Sequence, residues 1–283
     1  MKIAKTIRSV RKLVRQARSK GKSVGLVPTM GALHQGHISL IGKAARDADF
    51  VVVSIFVNPT QFGPKEDFKK YPRPVQDDLN ACRKAGADLV FAPSAKQMYP
   101  RQNLTWVSVG KLSELLCGRF RPGHFRGVAT VCTKLFNIVQ PDLAFFGQKD
   151  AQQAIIIKRL VADLNFPLKI IVCPTVREKT GLAMSSRNRY LTPQEKIDAA
   201  CLCKSLRKAV QMIGAGIIDA NKIIAQMRKI ITAAASAKIE YIEIIDAETL
   251  CPIKKIDRPA LVALAVRIGR TRLIDNIIID SPK

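Results

Sequence analysis

Residues 27 to 41 read VPTMGALHQGHISLI. The stretch opens at the end of an apolar run, Ser23 to Val27, and closes in a segment whose apolar positions, Ile38, Ile41, Ala45 and Ala48, recur at helical spacing. A strand that passes through small residues into a helix is the first half of a βαβ unit. Two of the three histidines in the chain, His34 and His37, flank Gly36 at that helix entrance. Free N–H groups and the positive end of the helix dipole favour an anion there. A glycine lets a ligand approach the backbone, and two imidazoles can donate to phosphate oxygens and follow charge as it develops on a leaving group. A capping or core histidine is the ordinary alternative for one such residue; a metal pair lacks the further ligands that would complete its shell.

The alternation continues outward. A helix is expected from about Ile3 to Ser19, then the strand at Ser23 to Val27, the helix after HQGH, and a buried-type strand from Phe50 to Val57. After a Pro- and Gly-rich loop come a helix to Gly86, a strand at Asp88 to Ala92, an alternating segment around Thr105 to Val109, and a turn-rich stretch from Cys117 to Gly127. Helix, strand, helix and strand follow at Val128 to Val139, Leu143 to Phe146, Ala151 to Leu164 and Lys169 to Val172. The character changes near Pro174. Two long helical stretches, Thr192 to Ile213 and Asp219 to Ser236, precede three strands at Ala237 to Ile245, Ala260 to Ala265 and Thr271 to Ile279, the last two joined by a Gly269-Arg270 hairpin turn. The expectation is an α/β chain: a Rossmann-like parallel-sheet domain over residues 1–175, followed by a smaller α+β domain over 176–283 acting as a lid.

Composition narrows the function classes. The 283 residues are 47% hydrophobic and 24% charged, as in soluble globular proteins. No apolar run approaches the roughly 20 residues of a membrane-spanning helix, and no signal peptide is evident, so a cytoplasmic location without membrane association is expected. The seven cysteines are scattered without a CxxC pair, which speaks for reduced buried thiols rather than disulfides or zinc. The net charge of +25 is concentrated at the start, where residues 1–46 hold eleven Lys and Arg and no acid. Lys5, Arg8, Arg11, Lys12, Arg15 and Arg18 line one face of the first helix opposite Ile3, Ile7, Val10, Val14 and Ala17. Such a stripe could follow a phosphate backbone or an anionic membrane surface, but the aromatic-basic interleaving of nucleic-acid sites is lacking, and a solvated face is expected.

In open α/β sheets ligands bind beyond the carboxyl ends of the strands. Those exits here are polar. Thr29, Met30 and the two histidines follow the first strand, and Asn58, Gln61 and the Tyr71 to Asp78 region follow the second. Gly147-Gln148-Lys149-Asp150 follow the Leu143 strand, and Met184-Ser185-Ser186-Arg187-Asn188 lie beyond the last. Lys149 offers a point charge for phosphate, and Asp150 a carboxylate for magnesium. Ser185, Ser186 and Arg187 add two hydroxyls and a forked cation. Taken singly, GQKD and SSRN are weak signals.

In order they are specific. HQGH and MSSRN resemble the HxGH and KMSKS-like signatures of the nucleotidyltransferase superfamily. The ordered segments PTMGALHQGH, VSIFVNPTQF, RPGHFRG, FFGQKDAQQ and GLAMSSRNRYL closely resemble the pantoate–beta-alanine ligase family, over a span from Lys22 to the terminal RLIDN. That resemblance implies an ATP- and magnesium-dependent ligase that joins pantoate to beta-alanine through a pantoyl adenylate, releasing AMP and pyrophosphate. It implies an ATP site of Met30, Gly31, Ala32, Leu33, His34, Gln35, Gly36, His37, Gly147, Gln148, Lys149, Asp150, Val176 (by its backbone), Met184, Ser185, Ser186 and Arg187. His37, His34, Lys149 and Arg187 would be catalytic, with His37 in the family's proton-donor position. Gln61 and Gln153 would hold pantoate, Gln61 would also meet beta-alanine, and Asp150 would neighbour the metal. Asn58, Tyr71, Asp77 and Asp78 are second-rank candidates. His124 matches a motif without a chemical role that its context demands, and reads as part of a structural turn. A homodimer through the first domain, with small-molecule substrates and no nucleic-acid partner, completes the expectation. Another nucleotidyltransferase, acting on a phosphate-bearing substrate, is the nearest alternative enzyme; the glutamine motifs argue against it.

Overall fold

The computed structural model describes residues 1–64 and 66–280. The elements run β1 (Lys2–Ala4), α1 (Ile7–Arg18), β2 (Val24–Thr29), α2 (Gln35–Asp47), β3 (Phe50–Ile55), α3 (Val75–Lys84), β4 (Leu89–Phe91), α4 (Ala95–Met98) and α5 (Cys117–Phe120). They continue with α6 (His124–Val139), β5 (Leu143–Gly147), α7 (Ala151–Asp163), β6 (Lys169–Cys173), α8 (Pro193–Gly214), α9 (Ala220–Thr232), β7 (Ala237–Asp246), β8 (Ala260–Ile268) and β9 (Thr271–Ile279). Short 3-10 turns occupy Pro59–Gln61, Lys111–Ser113, Gln148–Asp150 and Ser186–Tyr190. The chain divides into two compact units, one of Met1–Gln148 with Gln152–Pro174, the other of Lys149–Ala151 with the residues from Thr175 onward.

In the first unit the described residues form a six-stranded parallel sheet in the order β1-β4-β3-β2-β5-β6. The chain winds outward from β2 through β3 and β4 on one side and through β5 and β6 on the other. The order therefore reverses between β2 and β5, the crevice where ligands of such sheets bind. Val24, Leu26 and Val52 pack one face of the sheet against Val10 and Val14 of α1 and Val128, Leu135 and Phe136 of α6. Val27, Val51, Val53 and Phe145 pack the other against Leu40, Ile41 and Ala44 of α2. Burial on both faces accounts for the near-continuous apolar runs of these strands.

The N-terminus corrects the sequence expectation. Residues Lys2–Ala4 form a strand paired with Leu89–Phe91, and the helix starts only after Thr6, whose Oγ1 accepts from the Ser9 amide at 3.2 Å. Three residues are too few to display a period, and a partner 87 positions away decides their state. Ile3 and Lys5 thus lie outside α1. Arg18 is not purely solvated, because it pairs with Asp142 at 3.1 Å and donates to the Gln140 carbonyl. Residues Thr105–Val109 join no strand ladder among the described residues; the Val107 amide donates instead to Thr130 Oγ1 of α6 at 3.1 Å.

In the second unit β7, β8 and β9 form an antiparallel meander with a register shift between Ile239 and Tyr241. Ile244, Val262 and Leu264 pack with Leu202 and Leu206 of α8 and Ile223, Met227 and Ile231 of α9. The entrance to α8 is a capping box. Thr192 Oγ1 accepts from the Glu195 amide, Glu195 Oε2 accepts from the Thr192 amide at 2.8 Å, and Pro193 fills the first helical position.

Candidate active site

The turn between β2 and α2 is set by one buried carboxylate. Gly31 has φ +80° and Ala32 φ +50°, both in the left-handed region. Asp78 of α3, 2% exposed, accepts from the Ala32 amide at 2.9 Å and the Leu33 amide at 2.7 Å. A Cβ on Gly31 would stand 2.8 Å from Asp78 Oδ2, so the residue must be glycine both for its φ and for the space. Thr29 Oγ1 donates to the Ser54 carbonyl at 2.7 Å and accepts from the Gly31 amide.

His34 is the N-cap of α2 and His37 its third residue, and the two rings form a capping box. His34 Nδ1 accepts from the Gly36 amide at 3.2 Å, and His37 Nδ1 accepts from the His34 amide at 3.3 Å, with ring centroids 4.1 Å apart. A neutral imidazole that accepts at Nδ1 carries its proton on Nε2. Each ring is thereby a donor through Nε2. A Cβ on Gly36 would lie 2.9 Å from His34 Cε1, so the missing side chain makes room for the His34 ring. The Nδ1 end of each ring is thus used in capping the helix.

Beyond β3, Asn58 is fully buried and caps the Pro59–Gln61 turn. Its Oδ1 accepts from Thr60 Oγ1 and from Tyr99 OH, both at 2.9 Å, and its Nδ2 donates to the Gly127 carbonyl at 3.1 Å and Gln61 Oε1 at 3.3 Å. Gln61, 8% exposed, donates through Nε2 to Met30 Sδ in the β2–α2 turn. Gln61 therefore touches the segment that carries the histidines. In α7, Gln152 is spent on structure: it accepts from the Cys117 amide and donates to the Leu112 and Leu115 carbonyls. Its neighbour Gln153 is half-buried. Tyr71 packs edge-on against Phe62, while Asp77 lies exposed on the first turn of α3.

The second unit holds a separate set. Lys149 Nζ lies 3.7 Å from Asp150 Oδ1, and the Lys149 carbonyl accepts from Asn276 Nδ2 of β9 at 2.9 Å. The adjacent Asp275, buried, takes both arms of Arg177, which also donates to the Gly181 carbonyl. That fork holds the Arg177 to Ala183 turn, in which the Met184 amide donates to the Val176 carbonyl at 2.9 Å. Ser185 Oγ accepts from the Arg187 amide, opening the Ser186–Tyr190 turn, and Asn188 Nδ2 fastens it to Glu178 Oε1 at 2.7 Å and to the Ala183 carbonyl.

Six of the seven cysteines are buried. Burial pushes the thiols of Cys132 and Cys82 up to about 12, with the Asp78 charge adding at Cys82, and that of Cys201 up to about 11. These groups stay protonated and offer no nucleophile. Among the described residues no three His, Cys, Asp or Glu side chains gather as a metal cluster. The supports that sequence reasoning missed or ranked low are Asp78, Asn58, Asp275 and Asn276. The one available signal was the Asp77-Asp78 pair in the first turn of a helix, which does not say which of the two turns inward.

Comparison with known proteins shows the family. The profile of the family Pantoate-beta-alanine ligase matches residues 2–278. The chain is 54% identical over 280 residues to the pantothenate synthetase of Moorella thermoacetica, covering 99% of each chain. It is 52% identical over 279 residues to that of Thermotoga petrophila, covering 99% of this chain and 100% of the relative. Among solved structures, pantothenate synthetase from Thermus thermophilus superposes with a TM-score of 0.93 at 41% identity, over 98% of this chain and 99% of that one. The pantoate-beta-alanine ligase of Francisella tularensis, complexed with beta-gamma ATP and beta-alanine, gives 0.80 at 38% identity, over 98% and 97%.

Proposed function

The chain belongs to the pantoate–beta-alanine ligase family, whose reaction is the ATP-dependent condensation of pantoate with beta-alanine, and from that premise we propose how its residues divide the work. The pantoate carboxylate attacks the α-phosphorus of ATP, forming pantoyl adenylate and expelling pyrophosphate. The amine of beta-alanine then attacks the acyl carbon, and AMP departs with the carboxylate oxygen. Met30 to His37 line the ATP, with turn and helix amides and the Nε2 protons of His34 and His37 directed to the phosphates. Pyrophosphate leaves as an anion, so charge stabilisation suffices and His37 need not surrender its proton. Gly147, Gln148, Val176 through its backbone, and Met184 complete the nucleotide contacts; Lys149, Ser185, Ser186 and Arg187 meet the phosphates.

Gln61 and Gln153 hold pantoate, and Gln61 also meets beta-alanine. A thioether is a weak acceptor, so a substrate oxygen can displace Met30 Sδ from Gln61 Nε2. Magnesium fits the donor set as a substrate-borne ion. Asp150, with half its side chain exposed beside Lys149, supplies one carboxylate, which is enough for an ion held mainly by phosphate oxygens and water. When bound, the ion neutralises phosphate charge.

Residues 1–175 and 176–283 are proposed as the binding domain and its lid. The protein is proposed to be a cytoplasmic homodimer formed through the first unit, where Leu104 stands 84% exposed near Trp106. The single observation that carries the site reading is the capping box of His34 and His37, which fixes both Nε2 donors at a helix entrance. Its test is incubation with ATP, magnesium, pantoate and beta-alanine: AMP and pantothenate should form in equal amounts, and pyrophosphate–ATP exchange should require pantoate. Exchange without pantoate would refute the adenylate reading.

A further inference from the structure

The RPGHFRG segment, which reads as a turn, instead starts a helix. Gly123, at φ +78°, completes the turn, and His124 is the first residue of α6, four residues earlier than expected. Its ring joins two partners. Nε2 lies 3.1 Å from Arg121 Nη1, and Nδ1 lies 2.8 Å from the Gln61 carbonyl oxygen. A guanidinium can only donate, so Nε2 accepts and the proton sits on Nδ1, which donates to Gln61. Arg121 is held in turn by Glu66, with Nε to Oε1 at 2.7 Å and Nη2 to Oε2 at 2.6 Å, and its Nη2 also reaches the Gln61 carbonyl at 3.4 Å.

The other side of the Gln61 backbone is closed by Gly127. A Cβ at Gly127 would stand 2.3 Å from the Thr60 carbonyl oxygen and 2.7 Å from the Gln61 nitrogen, so α6 lies directly on this turn. With Asn58 on its carboxamide, Gln61 is fixed at both backbone and side chain. We propose that His124, oriented by Arg121 and Glu66, is a positioning residue for pantoate: it holds the Gln61 carbonyl, and thereby the direction in which Gln61 presents its carboxamide. The inference rests on Gln61 being a pantoate contact.

The tautomer makes it testable. An asparagine amide can stand in for Nδ1–H, whereas a glutamine amide reaches further, to the Nε2 position. His124→Gln should raise the pantoate KM roughly tenfold, the scale of one lost hydrogen bond, with the ATP KM within about twofold of wild type. His124→Asn should restore most of the pantoate affinity lost in His124→Gln. Glu66→Gln, which loosens the clamp without touching the helix, should raise the pantoate KM several-fold and serves if the His124 variants fail to fold. Gln61→Ala is measured in parallel. If it leaves the pantoate KM unchanged, the site reading and this inference both fall. If it raises that KM while His124→Gln and Glu66→Gln do not, or if they raise both KM values equally, the positioning role alone is overturned.

Discussion

The two sets of polar residues are built from different materials. In the first unit the donors are backbone amides and neutral imidazoles, each oriented by a buried or half-buried partner: Asp78 for the turn and the reciprocal capping of His34 and His37 for the rings. In the second unit they are formal charges on long side chains, Lys149 and Arg187, anchored through their backbones by Asn276 and Ser185. Fixed dipoles cost no reorganisation when charge develops, whereas a lysine ammonium must still be steered into place. On the proposed reading, the first set would act mainly in the transition state and the second would also hold the triphosphate.

The strongest way to break that contrast is Asp78→Ala. It leaves the Ala32 and Leu33 amides without their acceptor in a buried turn, which should cost roughly 3 kcal/mol, lower the melting temperature on the order of 10 °C, and reduce kcat/KM at least about 100-fold. Near-wild-type turnover would show that the turn does not depend on its clamp. Next, His37→Ala and Lys149→Ala should each slow adenylate formation roughly 10²-fold but differ in kind: the histidine variant mainly in kcat, the lysine variant in both kcat and the ATP KM. Identical patterns would erase the distinction.

The smallest effect concerns the Glu66–Arg121 ion pair beside the Gln61 turn. Burial of Glu66 raises its pKa, but the hydrogen bonds and charge of Arg121 outweigh this and hold it below the ordinary value of 4.5. A carboxylate depressed on folding stabilises fully above its unfolded value and loses that contribution as pH falls through the folded one. The melting temperature of wild type should therefore exceed that of Glu66→Gln by a few degrees at pH 7, and the gap should close below about pH 4.5. A gap that stays constant down to pH 3 would remove the ion pair from the account.

The βαβ order was legible because the strands buried on both faces leave long apolar runs, and because HQGH announces a strand-to-helix turn. The α8 entrance was equally legible, since its capping box is local. What escaped reading depends on partners distant in sequence. Lys2–Ala4 became a strand through β4, and His124 acquired its work from Gln61, 63 positions earlier. Gly36 shows a subtler limit: its need for a missing Cβ was read, but the neighbour that requires the space, the His34 ring, was not.

The bond from Asn276 to the Lys149 carbonyl spans 127 positions and ends on the last strand. Synthesis runs from the N-terminus, so a nascent chain can complete the parallel sheet and its histidine turn well before the anchor of Lys149 has left the ribosome. Catalytic competence should arrive abruptly, with the final hairpin, and a message truncated before Asn276 should yield a protein that retains the first set of donors but does not turn over.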